Sequence, residues 1–210
     1  AAPDHGAALN AILQSFAAQG ITTDQLTAVA HRVVHGGTSL VQPCRITDDV
    51  IAGIEAATPL APLHNPNNLA GIRAIAALAP DLAQFASFGT AFHATNPDVA
   101  TAYAIPDSDR AMGIRRYGFH GLSYAWIVTQ FEDKLPDRLL AFHLGSGASL
   151  CAIHKGQSVA TSMGYSPLDG LTMGTRTGAI DGMAVLRMAD IHGAAEASRR
   201  LNKDSGLKGL

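Results

Sequence analysis

The sequence predicts an α/β protein made of two lobes. In its first part, short apolar runs typical of strands alternate with segments of helical spacing, and in its last third three β-like runs form a meander. Hydrophobic residues make up 47% of the 210 residues, which is enough for a sizeable core. We expect one lobe to comprise residues 1–90 and the other residues 91–210.

The first lobe is expected to open with a helix. Apolar residues recur at helical spacing over residues 7–19, and Gly20 supplies a C-terminal stop. In AVAHRVVHGG, the β-branched Val33 and Val34 precede a glycine pair, which predicts a buried strand that leads into a loop. The remaining elements are a helix over 48–57, a second helix over 69–78 that follows the rigid loop TPLAPLHNPNNLAG, and a strand over 85–88 that leads into the polar loop GTAFHATNP.

The second lobe is expected to begin irregularly and to continue as a sheet. Residues 103–123 have no clear periodicity and end in RRYGFHGLS, after which a helix is predicted from Tyr124. The run RLLAFHLGSGASLCAIHKGQSVATSMGY predicts three strands separated by the turns GSG and KGQ. A glycine-rich stretch, LDGLTMGTRTGAIDG, then precedes an alanine-rich helix over about 183–201. The closing segment LNKDSGLKGL is predicted to form turns with no terminal element after them.

Composition excludes several classes of protein. Charged residues are 15% of the chain and the formal net charge is −2, so we expect no broad basic surface and no nucleic-acid partner. Cys44 and Cys151 match no zinc spacing or disulfide framework, which fits a reducing cytoplasm. No run approaches a membrane span, and the N-terminal stretch lacks the basic residues of a secretory signal. There is no initiator Met, and we expect both ends to be cut.

Polar loops that follow apolar runs predict the chemistry. Five of them contain glycine or proline: HRVVHGG, APLHNPNN, TAFHATNP, RRYGFHG and MGTRTG. Together they hold Arg32, Arg115, Arg116 and Arg176 with His31, His35, His64, His93 and His120. Arginine offers a planar fork of donors to phosphate or carboxylate, and glycine lets backbone N–H groups approach an anion. The set therefore indicates anion binding at strand ends.

Each loop by itself has an alternative interpretation. A single loop arginine is commonly solvated, and a lone histidine is commonly a structural group. The two histidines of HRVVH could be metal ligands on one strand face, but no carboxylate or cysteine accompanies them at ligand spacing, so no metal ligand is assigned. The GSG turn could hold phosphate through its N–H groups and the hydroxyls of Ser146 and Ser149, or it could be an ordinary hairpin turn.

Six segments, in order and approximate spacing, resemble acetate kinases and the related propionate and butyrate kinases. They are HRVVHGG, APLHNPNNLAGI, TAFHATNP, GIRRYGFHGLS, HLGSGASLCAIHKGQSVATSMGYSPLDGL and MGTRTGAID, and the resemblance extends from about Ala28 to the C-terminus. It implies two ribonuclease-H-like lobes of the acetate and sugar kinase, Hsp70 and actin superfamily, here incomplete at both ends. It also implies reversible phosphoryl transfer from ATP to acetate with Mg²⁺, in a cytoplasmic homodimer.

The resemblance further implies roles for single residues. Arg32 and Arg176 would flank the transferring phosphoryl group, His120 would donate a hydrogen bond to it, and His64 would be a supporting donor. The methyl group of acetate would lie in a small apolar pocket formed by Val34, Leu63, Phe119 and Pro167. The nucleotide phosphates would meet His143, Gly145, Ser146 and Gly147.

Three departures from the family pattern accompany these matches. Gly89 stands where acetate kinases normally have Asp, Ser146 stands where Asn is usual, and Tyr124 stands where His is usual. The family's NAGSSS-like phosphate loop is not in this sequence, and its distal adenosine-binding segments would lie beyond Leu210. We therefore expect little or no kinase activity from this chain by itself.

Other functions remain open at this stage. The acceptor could be propionate or another short-chain carboxylate, since one methylene changes binding by only about 1 to 3 kcal/mol. A degenerate relative that binds phosphate or carboxylate without catalysis is a different class, which Gly89 favours. A serine hydrolase is disfavoured because no G-x-S-x-G nucleophile elbow is present.

Overall fold

The fold is taken from a computed structural model, which describes residues 5–210. The chain separates into two compact units, of which the first ends at Ala91 and the second spans Phe92–Leu210. Each unit has helices and its own three-stranded sheet. The predicted α/β class is confirmed.

Three helices of the first unit are α1 (His5–Ala17), α2 (Asp48–Ala56) and α3 (Asn65–Leu78). Helix α2 is capped by Thr47, whose side chain accepts a hydrogen bond from the backbone of Val50. Helix α3 begins four residues before the predicted start at residue 69. The proline in its first turn explains the difference, because a proline at this position loses no hydrogen bond that the helix needs.

The sheet of the first unit consists of β1 (Val29–Val33), β2 (Cys44–Arg45) and β3 (Gln84–Phe88). Strand β3 lies in the centre, parallel to β1 and antiparallel to β2. Val33 pairs with Phe88, so the carboxyl ends of β1 and β3 lie side by side. The core beneath them contains Val33, Ile54, Leu69, Ile72, Ala86 and Phe88. The loops that follow β1 and β3 therefore leave the same edge of the sheet.

The second unit contains the predicted meander. Its strands are β4 (Arg138–Leu144), β5 (Ala148–His154) and β6 (Gln157–Thr161), which pair antiparallel in that order. The turn between β5 and β6 is formed by Lys155 and Gly156, both with positive φ. Its helices are α4 (Asp98–Thr101), α5 (Asp107–Ala111), α6 (Gly121–Thr129), α7 (Gly182–His192) and α8 (Ala194–Lys203).

Three sequence predictions for the second unit were wrong in detail. The segment expected to be irregular contains α5, and α6 begins at Gly121 instead of Tyr124. The alanine-rich helix is two helices, because Gly193 has a φ of +80° that interrupts it. The closing segment, by contrast, forms the turn that its glycines predicted, a 3₁₀ turn over Gly206–Gly209.

Across residues 5–210, no helix combines the length and the apolar character needed to cross a bilayer.

Candidate functional site

In the first unit, the backbone after β1 is held by side chains from two other segments. Asn65 accepts a hydrogen bond from the N–H of His35 (3.2 Å) and donates to its carbonyl (3.0 Å). Asn68 accepts from the N–H of Val34 (3.1 Å), and Thr90 accepts from the N–H of Gly36 (3.2 Å). The asparagines of HNPNN therefore fix the backbone of HRVVHGG directly after strand β1, where the loop begins.

The side chains nominated in this unit differ in exposure. Alternation along β1 places Arg32 on the exposed side, and among the described residues it has no ion-pair partner. His64 is exposed at the N-terminus of α3. Val34 is only 8% exposed, whereas Leu63 is 71% exposed. Arg32 can thus receive an anion, but Val34 and Leu63 do not share one buried apolar pocket within this unit.

Gly89 follows β3 and lies against the end of β1. Its N–H donates to the carbonyl of Val33 at 2.8 Å. A Cβ atom built on Gly89 would lie 2.9 Å from the carbonyl oxygen of Val34, which is closer than such contacts normally are. A side chain at this position would require the two strand ends to move slightly apart.

In the second unit, two cationic or polar side chains meet at the GSG turn between β4 and β5. A Cβ atom on Gly147 would lie 3.1 Å from His120 Nε2 and 3.2 Å from Arg176 Nη1. Both nitrogens therefore lie close together beside the turn, and a side chain in place of Gly147 would crowd them. Arg176 also donates through Nη1 to the carbonyl of Pro167 at 3.1 Å, which orients its guanidinium. Hydrogen-bond donors that converge in this way can stabilise a phosphoryl group.

His120 is held in place by its own conformation and by a second histidine. It has a φ of +59°, an uncommon left-handed conformation for a residue with a side chain, just before α6. Its ring stacks on that of His143 with a centroid distance of 4.0 Å. Its Nδ1 lies 2.9 Å from the Oγ of Ser149, and the Nδ1 of His143 lies 3.0 Å from the Oγ of Ser123.

A buried histidine supports the backbone that precedes His120. His93 Nε2 lies 2.8 Å from the carbonyl oxygen of Phe119, and its Nδ1 lies 2.9 Å from Ser158 Oγ. Because a carbonyl can only accept, Nε2 carries the proton and Nδ1 accepts from Ser158. A Cβ atom on Gly118, whose φ is +78°, would lie 2.7 Å from the ring of His93. Gly118, the first glycine of GFHG, is therefore required for the close approach of His93.

The loop that carries Arg176 is held by the end of the chain. The N–H of Thr177 donates to Leu201, and those of Leu207 and Lys208 donate to Met173 and Gly174, at 2.9 to 3.1 Å. A Cβ on Gly206 would lie 2.0 Å from the carbonyl oxygen of Met173, so the two segments touch backbone to backbone. The segment after α8 thus positions the MGTRTG loop, a role that its turn residues alone did not predict.

Comparison with known proteins now identifies the family. The sequence matches the acetokinase family over residues 1–210. The chain belongs to the acetokinase family. It is 47% identical to an acetate kinase of Streptomyces avermitilis, in a match that covers 99% of this chain and 54% of that relative. The resemblance found from the six segments is confirmed.

Solved structures of acetokinase-family enzymes have the same fold. An acetate kinase of Porphyromonas gingivalis superposes with a TM-score of 0.90 at 38% identity, covering 99% of this chain and 55% of that one. A propionate kinase of Francisella tularensis superposes with a TM-score of 0.89 at 39% identity, covering 96% of this chain and 54% of that one. The chain spans about half the length of the relatives that it matches.

The residues that resemblance to the acetokinase family nominated fall into two groups, one in each unit. The structure places Arg32, Val34, Leu63 and His64 at the β1 loop and the start of α3. It brings together His120, Arg176, Gly147 and Pro167, with His143 stacked on His120. Phe119 is 3% exposed next to His120. Gly145 and Ser146 are exposed in the GSG turn.

Some polar residues of this acetokinase-family chain have other partners than those expected. Ser149 is fully buried and contacts His120 and Tyr124, so its hydroxyl is not presented to a phosphate. Arg116 forms an ion pair with Asp169 at 3.1 Å, and it also donates to the carbonyl of Ser162. Both were counted among anion-binding groups from the sequence, because loop position alone does not show which partner a side chain meets.

Acidification is expected to destabilise the protein through its two buried histidines. Burial lowers the pKa of His35 and of His93 to about 4, compared with 6.5 for an ordinary histidine. Between these values the unfolded chain binds more protons than the folded one, so the free energy of unfolding decreases as the pH falls through 6.5. Each of the two histidines should lower the free energy of unfolding by about 2 kcal/mol between pH 6.5 and pH 5. Urea unfolding at several pH values measures this slope, and an equally steep slope in His93→Gln would contradict the assignment to His93.

Proposed function

We propose that this acetokinase-family protein transfers a phosphoryl group reversibly between ATP and acetate, forming acetyl phosphate and ADP. The observation that carries the proposal is the convergence of His120 Nε2 and Arg176 Nη1 beside Gly147. Negative charge spreads over the equatorial oxygens in phosphoryl transfer, and fixed donors at that place stabilise it. The names of its relatives, acetate kinases among them, support the same reaction.

In the proposed reaction, different side chains bind the transferring group, the nucleotide phosphates and the acceptor. In the second unit, Arg176 would provide positive charge to the transferring group and His120 would donate to one of its oxygens. The turn at Gly145, Ser146 and Gly147, next to His143, would meet the nucleotide phosphates, and Phe119 and Pro167 would contact the acceptor. In the first unit, Arg32 and His64 are proposed as anion-binding side chains, and Val34 and Leu63 as apolar contacts of a ligand.

Magnesium is a cofactor that the family implies, and the described residues do not by themselves form a site for it. Within residues 5–210 no group of three or more His, Cys, Asp or Glu side chains could hold a metal ion, and Gly89 offers no carboxylate. No catalytic step is therefore assigned to protein ligands of Mg²⁺. Mg²⁺ would enter with the ATP phosphates.

Two further assignments belong to the proposal. By resemblance to its family, the protein would be a cytoplasmic homodimer. A propionate kinase is among its structural neighbours at 39% identity, so propionate is the second candidate acceptor. The noncatalytic alternative is supported by Gly89, which has no side chain where related kinases normally have a carboxylate.

An assay with three acceptors tests the reaction. Because the chain spans about half the length of its relatives, the protein is purified in its full natural length. It is incubated with Mg-ATP and acetate, propionate or butyrate, and acyl phosphate is trapped with hydroxylamine while ADP is measured separately. Acetate-dependent formation of both products in equal amounts supports the proposal, and a higher kcat/KM with propionate favours the second acceptor. Calorimetric binding of acetate and Mg-ATP with no product would identify a noncatalytic relative and overturn the proposed reaction.

A further inference from the structure

A chain of side chains leads from the core of the second unit to its candidate site. The hydroxyl of Tyr124 lies 2.5 Å from Ser149 Oγ, which in turn lies 2.9 Å from His120 Nδ1. Tyr124 and Ser149 are both 0% exposed, whereas His120 is half-buried and reaches the turn at Gly147 with its Nε2. The two buried hydroxyls are therefore connected to the imidazole through Nδ1, whereas Nε2 is the nitrogen beside Gly147.

The direction of the hydrogen bonds follows from what each group can donate. Burial raises the pKa of Tyr124, although its hydrogen bond with Ser149 opposes this, so the phenol is protonated at neutral pH. A hydrogen bond from the backbone of His143 also lowers this pKa, as an N–H that donates to the phenol oxygen does. The phenol proton is then available to Ser149 Oγ. Ser149 can in turn donate its own proton to His120 Nδ1.

These bonds have a consequence for the tautomer of His120. A neutral imidazole has one ring proton, and a ring nitrogen that accepts a hydrogen bond cannot carry it. When Nδ1 accepts from Ser149, the proton lies on Nε2. That nitrogen is the one beside Gly147 and Arg176.

We propose that Tyr124 is a positioning residue, which acts through Ser149 to keep the proton of neutral His120 on Nε2, where it is donated to the anion beside Gly147. The identity of that anion as a phosphoryl group rests on the proposed function. The hydrogen-bond order Tyr124, Ser149, His120 does not, because it is a property of the folded chain alone.

The packing around Tyr124 makes this role specific to its hydroxyl. Its ring lies in a core cluster with Ala141, Cys151 and Ile153, and it contacts the rings of Phe92 and His93. Phenylalanine would keep these apolar contacts and remove one oxygen atom. Tyr124→Phe therefore interrupts the hydrogen-bond chain at its buried end with little change in packing.

Several titratable or charged groups face His120 and have to be considered in the test. His143 stacks on its ring from β4, Tyr124 approaches through Ser149 from α6, and Arg176 lies beside Nε2 from the 173–178 loop. The tautomer is therefore measured over a range of pH values, and spectra in which His120 is neutral are compared. A His120→Gln variant assigns its signals by their disappearance.

The decisive measurement is the ¹⁵N spectrum of the histidine rings. In the wild-type protein, His120 is expected to show a protonated Nε2 and an unprotonated Nδ1. Tyr124→Phe should raise the population of the Nδ1-protonated form, because Ser149 then lacks a donor and can accept from Nδ1. Ser149→Ala should reduce the preference to the intrinsic one of a neutral histidine. Tyr117→Phe is the matched control, since the hydroxyl of this buried tyrosine donates to the carbonyl of Gly113.

Kinetics distinguish positioning from a purely structural role. Tyr124→Phe is expected to lower kcat by about tenfold or more with little change in KM. The reason is that a His120 ring with its proton on Nδ1 cannot donate a hydrogen bond from Nε2 to the transition state. In a His120→Gln background, the same substitution should have no further effect, as residues that act through one another are non-additive. Tyr117→Phe should leave kcat unchanged.

Each outcome decides one of the two proposals. A proton on Nδ1 in the wild type, or unchanged spectra in both Tyr124→Phe and Ser149→Ala, would overturn the inference. A changed tautomer with an unchanged kcat would show that Tyr124 does not position His120 for catalysis. A wild type with the expected tautomer but no kinase activity would refute the proposed function and leave the hydrogen-bond chain established.

Discussion

Replacing Arg176 with Ala is expected to lower kcat for acetyl phosphate formation by at least about 100-fold. Its Nη1 lies beside the same turn as His120 Nε2, at the place where the proposed phosphoryl group carries its developing charge. Loss of one preorganised donor at such a position typically costs about 100- to 1,000-fold in rate. Stability should change much less, because the guanidinium is half-buried and makes one hydrogen bond, to the carbonyl of Pro167.

Two comparisons make the Arg176 experiment specific. Arg176→Lys keeps the positive charge but loses the planar fork, so it is expected to recover only part of the activity. Arg110→Ala is the matched control, because Arg110 is an exposed arginine of the same unit that pairs with Asp107 on α5. Steady-state kinetics are measured with circular dichroism of each variant. A loss of activity in Arg110→Ala as large as in Arg176→Ala, or full activity in Arg176→Ala, would contradict the assignment.

Strands β1, β3, β4, β5 and β6 could be predicted because their signals are local, whereas the two-residue strand β2 was not predicted. Val33 and Val34 before a glycine pair, and the turns GSG and KGQ, specify extended runs and their ends within a few residues. The break between α7 and α8 at Gly193 was not predicted, because the alanine-rich residues on both sides favour a helix and the break depends on the positive φ of this one residue.

The contacts that organise the candidate site could not be read from spacing. His93 and Ser158 are 65 positions apart, and His120 and Ser149 are 29 positions apart, so only the folded meander brings them together. The same holds for the MGTRTG loop and the chain end that supports it. The sequence nominated arginines and histidines for anion binding, whereas the hydroxyls that contact His93 and His120 were visible only in three dimensions.

The polar residues of the HNPNN segment illustrate why a motif can be recognised before its role is known. Pro66 and the asparagines indicated a rigid loop that opens a helix, which is how the segment was interpreted. In the structure, Asn65 is the first residue of α3, and its amide faces the strand end at His35. The motif is therefore a structural support for the loop that follows β1, the strand that carries Arg32.

Replacing Asn65 with Ala is expected to lower the free energy of unfolding of the first unit by about 3 to 5 kcal/mol. Asn65 is 0% exposed and makes three hydrogen bonds: one from the N–H of His35, and one each to the carbonyls of His35 and Ile54. Each buried polar group that loses such a partner costs about 1 to 3 kcal/mol, because water cannot replace it. Urea unfolding followed by circular dichroism measures the loss.

Asn67→Ala is the matched control on the same helix. Asn67 is exposed and makes one hydrogen bond, to the carbonyl of Leu63, so its replacement should have an effect below about 1 kcal/mol. Hydrogen exchange locates the effect, since Asn65→Ala should accelerate exchange at the N–H of His35 and its neighbours after β1. Equal destabilisation by the two variants would contradict the role of Asn65.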